Sequence, residues 1–139
     1  MVKIVADSTC DLSPELIERF DISIIPLHVI LGDKEYRDGI DITLDELFAW
    51  SDEHKTTPKT SAPAMEDVVN VFKPIIDGGH EIITFSISQS MSTSGNVMRI
   101  AAKELEAEDK VTVVDSKNLS TGIGLLVCKA AQMAKEDMN

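Results

Sequence analysis

Apolar residues along the chain follow two alternating rhythms. In one they form short, nearly solid runs; in the other they recur every three or four positions. Residues 2–6 (VKIVA) form the first run and read as a buried strand. Ser13 then stands as a helix N-cap with Pro14 at the first helical position, and Leu16, Ile17 and Phe20 give that helix one apolar face. Residues 22–25 predict a second strand, which Pro26 interrupts and residues 27–31 continue. Gly32-Asp33-Lys34 is a turn, after which residues 35–39 return as a short hairpin arm. Thr43 caps the next helix with Glu46 as its capping-box partner, and Leu44, Leu47, Phe48 and Trp50 supply the apolar face. Residues 51–59 are polar, contain Pro58 and read as a surface loop. Val68, Val69, Phe72, Ile75 and Ile76 predict a helix over residues 64–76, which Pro74 kinks or shortens and Gly78-Gly79 stops. Beyond it the pattern predicts a strand at 81–86, a long helix at 92–107, a strand at 111–114 and a helix at 121–138.

The last two-thirds of the chain therefore alternate helix and strand. That alternation points to an α/β fold, a mainly parallel sheet flanked by helices on both faces. The length of 139 residues fits a single domain over residues 1–139, without internal repeats or low-complexity tracts. A hydrophobic fraction of 43% is enough to build a core, which excludes disorder along the whole chain. The net charge of −11 argues against nucleic acid and anionic membranes as partners, because both need Lys/Arg surfaces. No apolar run approaches the ~18 residues of a membrane span. The N-terminus runs straight into a strand pattern rather than into the regions of a signal peptide, so the expected location is cytoplasmic. Cys10 and Cys128 are too few for a disulfide framework or a Cys-rich zinc site, and no metal or cofactor motif is present.

In an open α/β sheet, ligands bind beyond the C-terminal ends of the strands. The sequence puts hydroxyls there: Asp7-Ser8-Thr9 after the first strand, Ser86, Ser88, Ser90, Ser92, Thr93 and Ser94 after the strand at 81–86, and Asp115-Ser116 through Ser120-Thr121 after the strand at 111–114. Thr60-Ser61 stands before a predicted helix start. Hydroxyls beside the free N–H groups of a helix start suit a carboxylate or phosphate without any Lys or Arg. A single such segment is ordinary capping, but the serine-rich loop exceeds one cap's needs. Other chemistries have weaker signals. Neither GxxxxGK[ST] nor a GxGxxG after a strand occurs, and Thr93-Ser94-Gly95 lacks the first glycine of a G-x-S-x-G elbow. A serine-dependent hydrolase or phosphotransferase using residues 86–94 is the enzymatic alternative. A ligand-free interaction domain is the structural one.

Taken together, these segments resemble the DegV family of bacterial fatty-acid-binding proteins. Ile4-Val5-Ala6-Asp7-Ser8-Thr9-Cys10-Asp11-Leu12 is similar to the family's opening strand and [TA]-D-S-[TS]-x-D-L. Pro26-Leu27-His28-Val29, Tyr36-Arg37-Asp38-Gly39-Ile40-Asp41 and Thr60-Ser61-Ala62-Pro63-Ala64 resemble its P-L-x-[VI], Y-x-D-G-x-[DE] and T-S-Q-P-S stretches. The run from Ser86 to Ser92 resembles the approach to its S-G-T-Y, and Asp115 to Gly124 its D-S-x-x-x-S-x-G-x-G. The chain departs at Ala62 and Ala64, at Thr93 in place of a glycine, and at Gly95 in place of an aromatic residue. The resemblance implies the N-terminal domain of a two-domain protein whose C-terminal lipid-binding domain, with its Arg and His contacts, has no counterpart in this chain. It implies Thr60, Ser61 and Ser92 as fatty acid carboxylate contacts, with Ser8, Ser88 and Thr93 as further candidates. Leu27, Phe85, Ile87, Met91, Val97 and Met98 are candidates to line the acyl tail. It also implies a protein that catalyses nothing itself but presents its fatty acid to a fatty acid kinase, which makes an acyl phosphate for phospholipid synthesis. Oligomeric state is left open.

Overall fold

The computed structural model describes residues 1–136. In chain order the elements are β1 (Val2–Asp7), a 3₁₀ turn (Ser8–Cys10), α1 (Pro14–Phe20), β2 (Ser23–Ile25), β3 (His28–Leu31), β4 (Lys34–Arg37), α2 (Leu44–His54), β5 (Lys59–Ser61), α3 (Met65–Asp77), β6 (Glu81–Ser86), α4 (Ser94–Glu104), β7 (Val111–Asp115) and α5 (Thr121–Lys135). Four strands form a parallel sheet in the order β2-β1-β6-β7. The pleat of β1 sends Val5 to one face and Ile4 and Ala6 to the other. Val5, Ile25 and Ile82 pack there on Val68 and Phe72 of α3 and Met98 and Ala101 of α4. Ile4, Ala6 and Phe85 pack on Ile123, Val127 and Ala131 of α5, with Phe20 of α1 at the margin. Helices thus cover both faces, as the alternating pattern predicts. Gly124 lets α5 lie directly on the 3₁₀ turn, since a Cβ there would sit 2.8 Å from the carbonyl oxygen of Cys10.

The sequence pattern misplaces one segment. Residues 27–31 do not continue β2; β3 belongs to a separate antiparallel sheet of order β4-β3-β5. Pro26 has no N–H to donate, so the ladder from β1 ends at the Asp7–Ile25 pair and the chain turns away. The small sheet has its own core of Val29, Leu31 and Ile42 with Tyr36, Leu47 and Trp50. Leu47 and Trp50 of α2 fill it as expected, but Leu44 (67% exposed) and Phe48 (60%) face solvent. The polar stretch from residue 51 is not all loop. Four of its residues extend α2 to His54, where Lys55 ends the helix in a left-handed conformation (φ 52°), and Lys59 already opens β5.

Capping follows the sequence. Ser13 accepts the Leu16 N–H with Pro14 in the first turn of α1, and Thr43 and Glu46 form a reciprocal box. Pro74 lies inside α3 without ending it. The helix expected from Ser92 begins at Ser94 and ends at Glu104. The predicted last helix stops at Lys135, and its positions 137–138 lie outside the described residues. No helix among the described residues is long and apolar enough to cross a membrane.

Candidate functional site

The strand order reverses between β1 and β6, and their C-terminal ends open the crevice where ligands settle in such sheets. Asp7 holds that crevice in shape. It is fully buried, and its carboxylate accepts the Ile87 N–H at 2.7 Å, the Thr9 N–H at 3.2 Å and the Thr9 hydroxyl. Burial pushes its pKa up, against these three bonds, which favour the charged form. Asp7 ties the end of β1 to the loop after β6 and has no surface left for a ligand.

Above this tie lies a cavity of about 560 Å³. Its lining combines hydroxyl residues, Thr9, Thr60, Ser61, Ser92 and Thr93, with apolar ones, chiefly Leu27, Val29, Ile87, Met91 and Leu119. Thr60 and Ser61 come from β5, where they stand opposite Val29 and His28 of β3. Ser92 and Thr93 come from the start of α4. Ser92 Oγ accepts the Ser94 N–H at 3.2 Å and lies 2.7 Å from Ser94 Oγ. With Ser94 as the donor, Ser92 keeps its own proton for a ligand. The Thr93 hydroxyl caps no N–H of the helix. The lining includes the Asp38 carboxylate and, among the described residues, no Lys, Arg or His. The polar donors on this lining are therefore hydroxyls rather than cations. Met91 (60% exposed) and Leu119 (49%) leave apolar surface uncovered beside Ser61 and Ser92.

The structure brings Thr60, Ser61, Ser92 and Thr93 together on one cavity. It uses Ser8 and Ser88 elsewhere. Ser8 Oγ accepts the Leu27 N–H at 3.1 Å and lines a neighbouring cavity of about 730 Å³, bounded by Leu12, Ile17, Ile24 and Ile40. Ser88 is buried, and its Oγ accepts the Ser90 N–H at 3.3 Å. Of the apolar candidates, Leu27, Ile87 and Met91 line the candidate cavity. Phe85, Val97 and Met98 pack in the two cores beside the sheet instead. Val29 and Asp38 also line it, beyond the residues that the sequence marks as candidates. Alternation from Leu27 to Val29 is the signal that pairs the former with its partner, and the Tyr36–Asp41 stretch is the signal for the latter.

The histidines lie away from the serine-rich loop. His28 contacts Glu35 and Asp67, His54 Nδ1 lies 2.9 Å from the Trp50 carbonyl oxygen, and His80 is half-buried just before β6 with its Nδ1 unpartnered. Burial pushes the Cys10 thiol up to about 11, so it stays protonated near neutrality. Among the described residues no three His, Cys, Asp or Glu side chains cluster as metal ligands do.

The fold is thus an α/β domain with a mixed hydroxyl and apolar cavity at the switch point of its parallel sheet, where such domains take ligands. Comparison with known proteins narrows the class. The family model described as "Uncharacterised protein, DegV family" matches residues 1–139, and the chain belongs to the DegV family. A DegV domain-containing protein of Clostridium acetobutylicum is 38% identical over 135 residues, covering 97% of this chain and 48% of that protein. The crystal structure of a stearic-acid-binding protein from Eubacterium ventriosum superposes with a TM-score of 0.91 at 38% identity, covering 100% of this chain and 49% of that one. A fatty-acid-binding DegV family protein from Thermus thermophilus gives a TM-score of 0.88 at 32% identity, covering 99% and 49%. The chain therefore spans about half the length of the relatives it matches.

Proposed function

We propose that this chain binds a long-chain fatty acid, with the carboxylate held by Thr60, Ser61 and Ser92 and the tail leaving along Leu27, Val29, Ile87 and Met91. In this reading it is the N-terminal half of a two-domain, cytoplasmic binding protein, and the second half supplies the cationic contacts that this cavity lacks. The domain performs no chemistry; a fatty acid kinase phosphorylates the presented carboxylate to an acyl phosphate. The observation that carries the reading is the convergence of β5 and the start of α4 on one cavity whose lining combines hydroxyl and apolar side chains. The binding of stearic acid by the Eubacterium ventriosum relative supports the ligand class. Burial of acyl carbons contributes ~0.8 kcal/mol per CH₂, so a tail of a dozen carbons dominates affinity and the hydroxyls set orientation.

Ser92→Ala and Thr60→Val in the complete protein test this directly. A hydrogen bond to a charged group contributes about 1.5–3 kcal/mol, so each variant should bind a fluorescent fatty acid at least tenfold more weakly. Unchanged affinity in both would remove these residues from the site.

A further inference from the structure

The three-stranded sheet carries half of the candidate carboxylate site, yet it has its own small core and shares no ladder with the four-stranded sheet. Among the described residues, three hydrogen bonds or ion pairs that involve a side chain bridge it and its loops to the rest of the molecule. Ser8 Oγ accepts the Leu27 N–H at 3.1 Å, Arg37 Nη1 lies 3.8 Å from Asp67 Oδ1, and His28 Nε2 lies 2.8 Å from Asp67 Oδ2. The His28 ring is held at its other end as well, with Nδ1 2.7 Å from Glu35 Oε1. A neutral imidazole has one N–H and one lone pair, whereas a carboxylate only accepts. Carboxylates at both nitrogens therefore fit the imidazolium, which donates at both. Burial opposes that cation, but the bonds to Asp67 and Glu35 outweigh it and raise the His28 pKa above its ordinary 6.5.

His28 is also well placed to transmit its position. In the β3–β5 register it stands opposite Ser61, and the next residue, Val29, stands opposite Thr60. Its sequence neighbours Leu27 and Val29 both line the cavity. We infer that His28 is a positioning residue for the ligand site: as an imidazolium it clamps the small sheet to α3 and so fixes Thr60 and Ser61 relative to Ser92. This rests on the reading of that cavity as the fatty acid site.

The charged groups around the clamp are Glu35 and Arg37 on β4, Asp41 just beyond it and held by Arg37 at 2.9 Å, Asp67 and Glu66 on α3, and Lys59 on β5. The sign follows from the raised pKa. The clamp is complete below pH 6.5. As the pH rises through the folded-state pKa, the ring loses one donor and its charge, so even a bond that Nε2 keeps to Asp67 loses its ionic part, and the clamp loosens on the alkaline side.

Three measurements on the complete protein test the inference. The His28 ring carbon is followed by NMR against pH, in the wild type and in Asp67→Asn. Amide protection of β3 and β5 is compared with that of β1 from pH 6 to 9, with no ligand present. The affinity for cis-parinaric acid, a fluorescent fatty acid, is measured over the same range in the wild type and in His28→Gln. The inference expects the His28 pKa to fall in Asp67→Asn. It expects protection of β3 and β5, but not of β1, to fall several-fold with the His28 titration, and affinity to fall with it. His28→Gln should sit at the alkaline value throughout. Protection and affinity that do not follow the His28 titration, or a His28→Gln variant with the wild-type pH profile, would overturn it. Tight parinaric acid binding with no such pH dependence removes the clamp but leaves the fatty acid site. A clamp seen by exchange with no binding of the probe at any pH removes the fatty acid site but leaves the clamp.

Discussion

Gly95 and Ser86 compete for one space, and a double-mutant cycle measures that competition. A Cβ on Gly95 would fall 2.7 Å from Ser86 Oγ but 3.4 Å from Ser86 Cβ. Ser86 is fully buried and its Oγ has no hydrogen-bond partner, so the hydroxyl fills the volume where a larger residue 95 would begin. Gly95→Ala forces that oxygen or the first turn of α4 to move, an overpacking cost of about 1–3 kcal/mol. Exchange of Gly for Ala in a helix returns up to ~1 kcal/mol. Ser86→Ala removes an unsatisfied buried hydroxyl and should be neutral or stabilising. In its presence the remaining 3.4 Å contact is tolerable, so Gly95→Ala should then stabilise. The coupling between the two substitutions is expected at about 1–3 kcal/mol, in the sense of rescue. Urea unfolding followed by the fluorescence of Trp50, the chain's one tryptophan, reads it. With a urea slope of ~1–3 kcal/mol/M, the effect of Gly95→Ala on the midpoint should differ by roughly 1 M between the two backgrounds. Equal effects in both backgrounds would refute the reasoning, because Ser86 would then rotate away at no cost.

The remaining predictions concern the crevice and the small sheet. Asp7→Asn should cost about 1–3 kcal/mol, since an amide cannot accept from both the Ile87 and Thr9 N–H groups. Burial raises the Asp7 pKa above 3.8, so its contribution to wild-type stability is greatest below that pH and declines as pH rises through the folded value. The stability gap between wild type and Asp7→Asn should therefore narrow from acid toward neutral pH; a gap that widens contradicts this. Thr43→Ala breaks the capping box of α2 and should cost ~1 kcal/mol in the Trp50-detected transition, with no change in midpoint as the contrary result. Phe72→Ala, at a fully buried position between α3 and the sheet, should cost about 3–5 kcal/mol, and a loss below ~1 kcal/mol would mean the core refills the space.

Much of the fold is legible in hydrophobic spacing, because β1, β6, β7 and the helices between them are buried on faces that the spacing marks directly. The small sheet is not, because periodicity reports that residues 27–31 form a strand but not which strand they pair with. Only Pro26 signals the break. The end of α2 is hidden because its last residues face water, where a polar helix turn and a polar loop have the same composition. The hydroxyls at Thr60, Ser61, Ser92 and Thr93 are legible as a group. Their division from Ser8 and Ser88 is not, because whether a serine lines this cavity or another part of the molecule depends on loop geometry. The same holds for Phe85 and Met98, whose side chains satisfy a core as well as they would a tail-binding wall.

The central claim is that this domain holds a fatty acid. Mass spectrometry of lipid extracted from the complete purified protein, beside a denatured-protein control, tests it most directly. The account predicts a long-chain fatty acid near one per protein, reduced in Ser92→Ala. A protein that carries no fatty acid, and takes up none when palmitate is supplied, would contradict it.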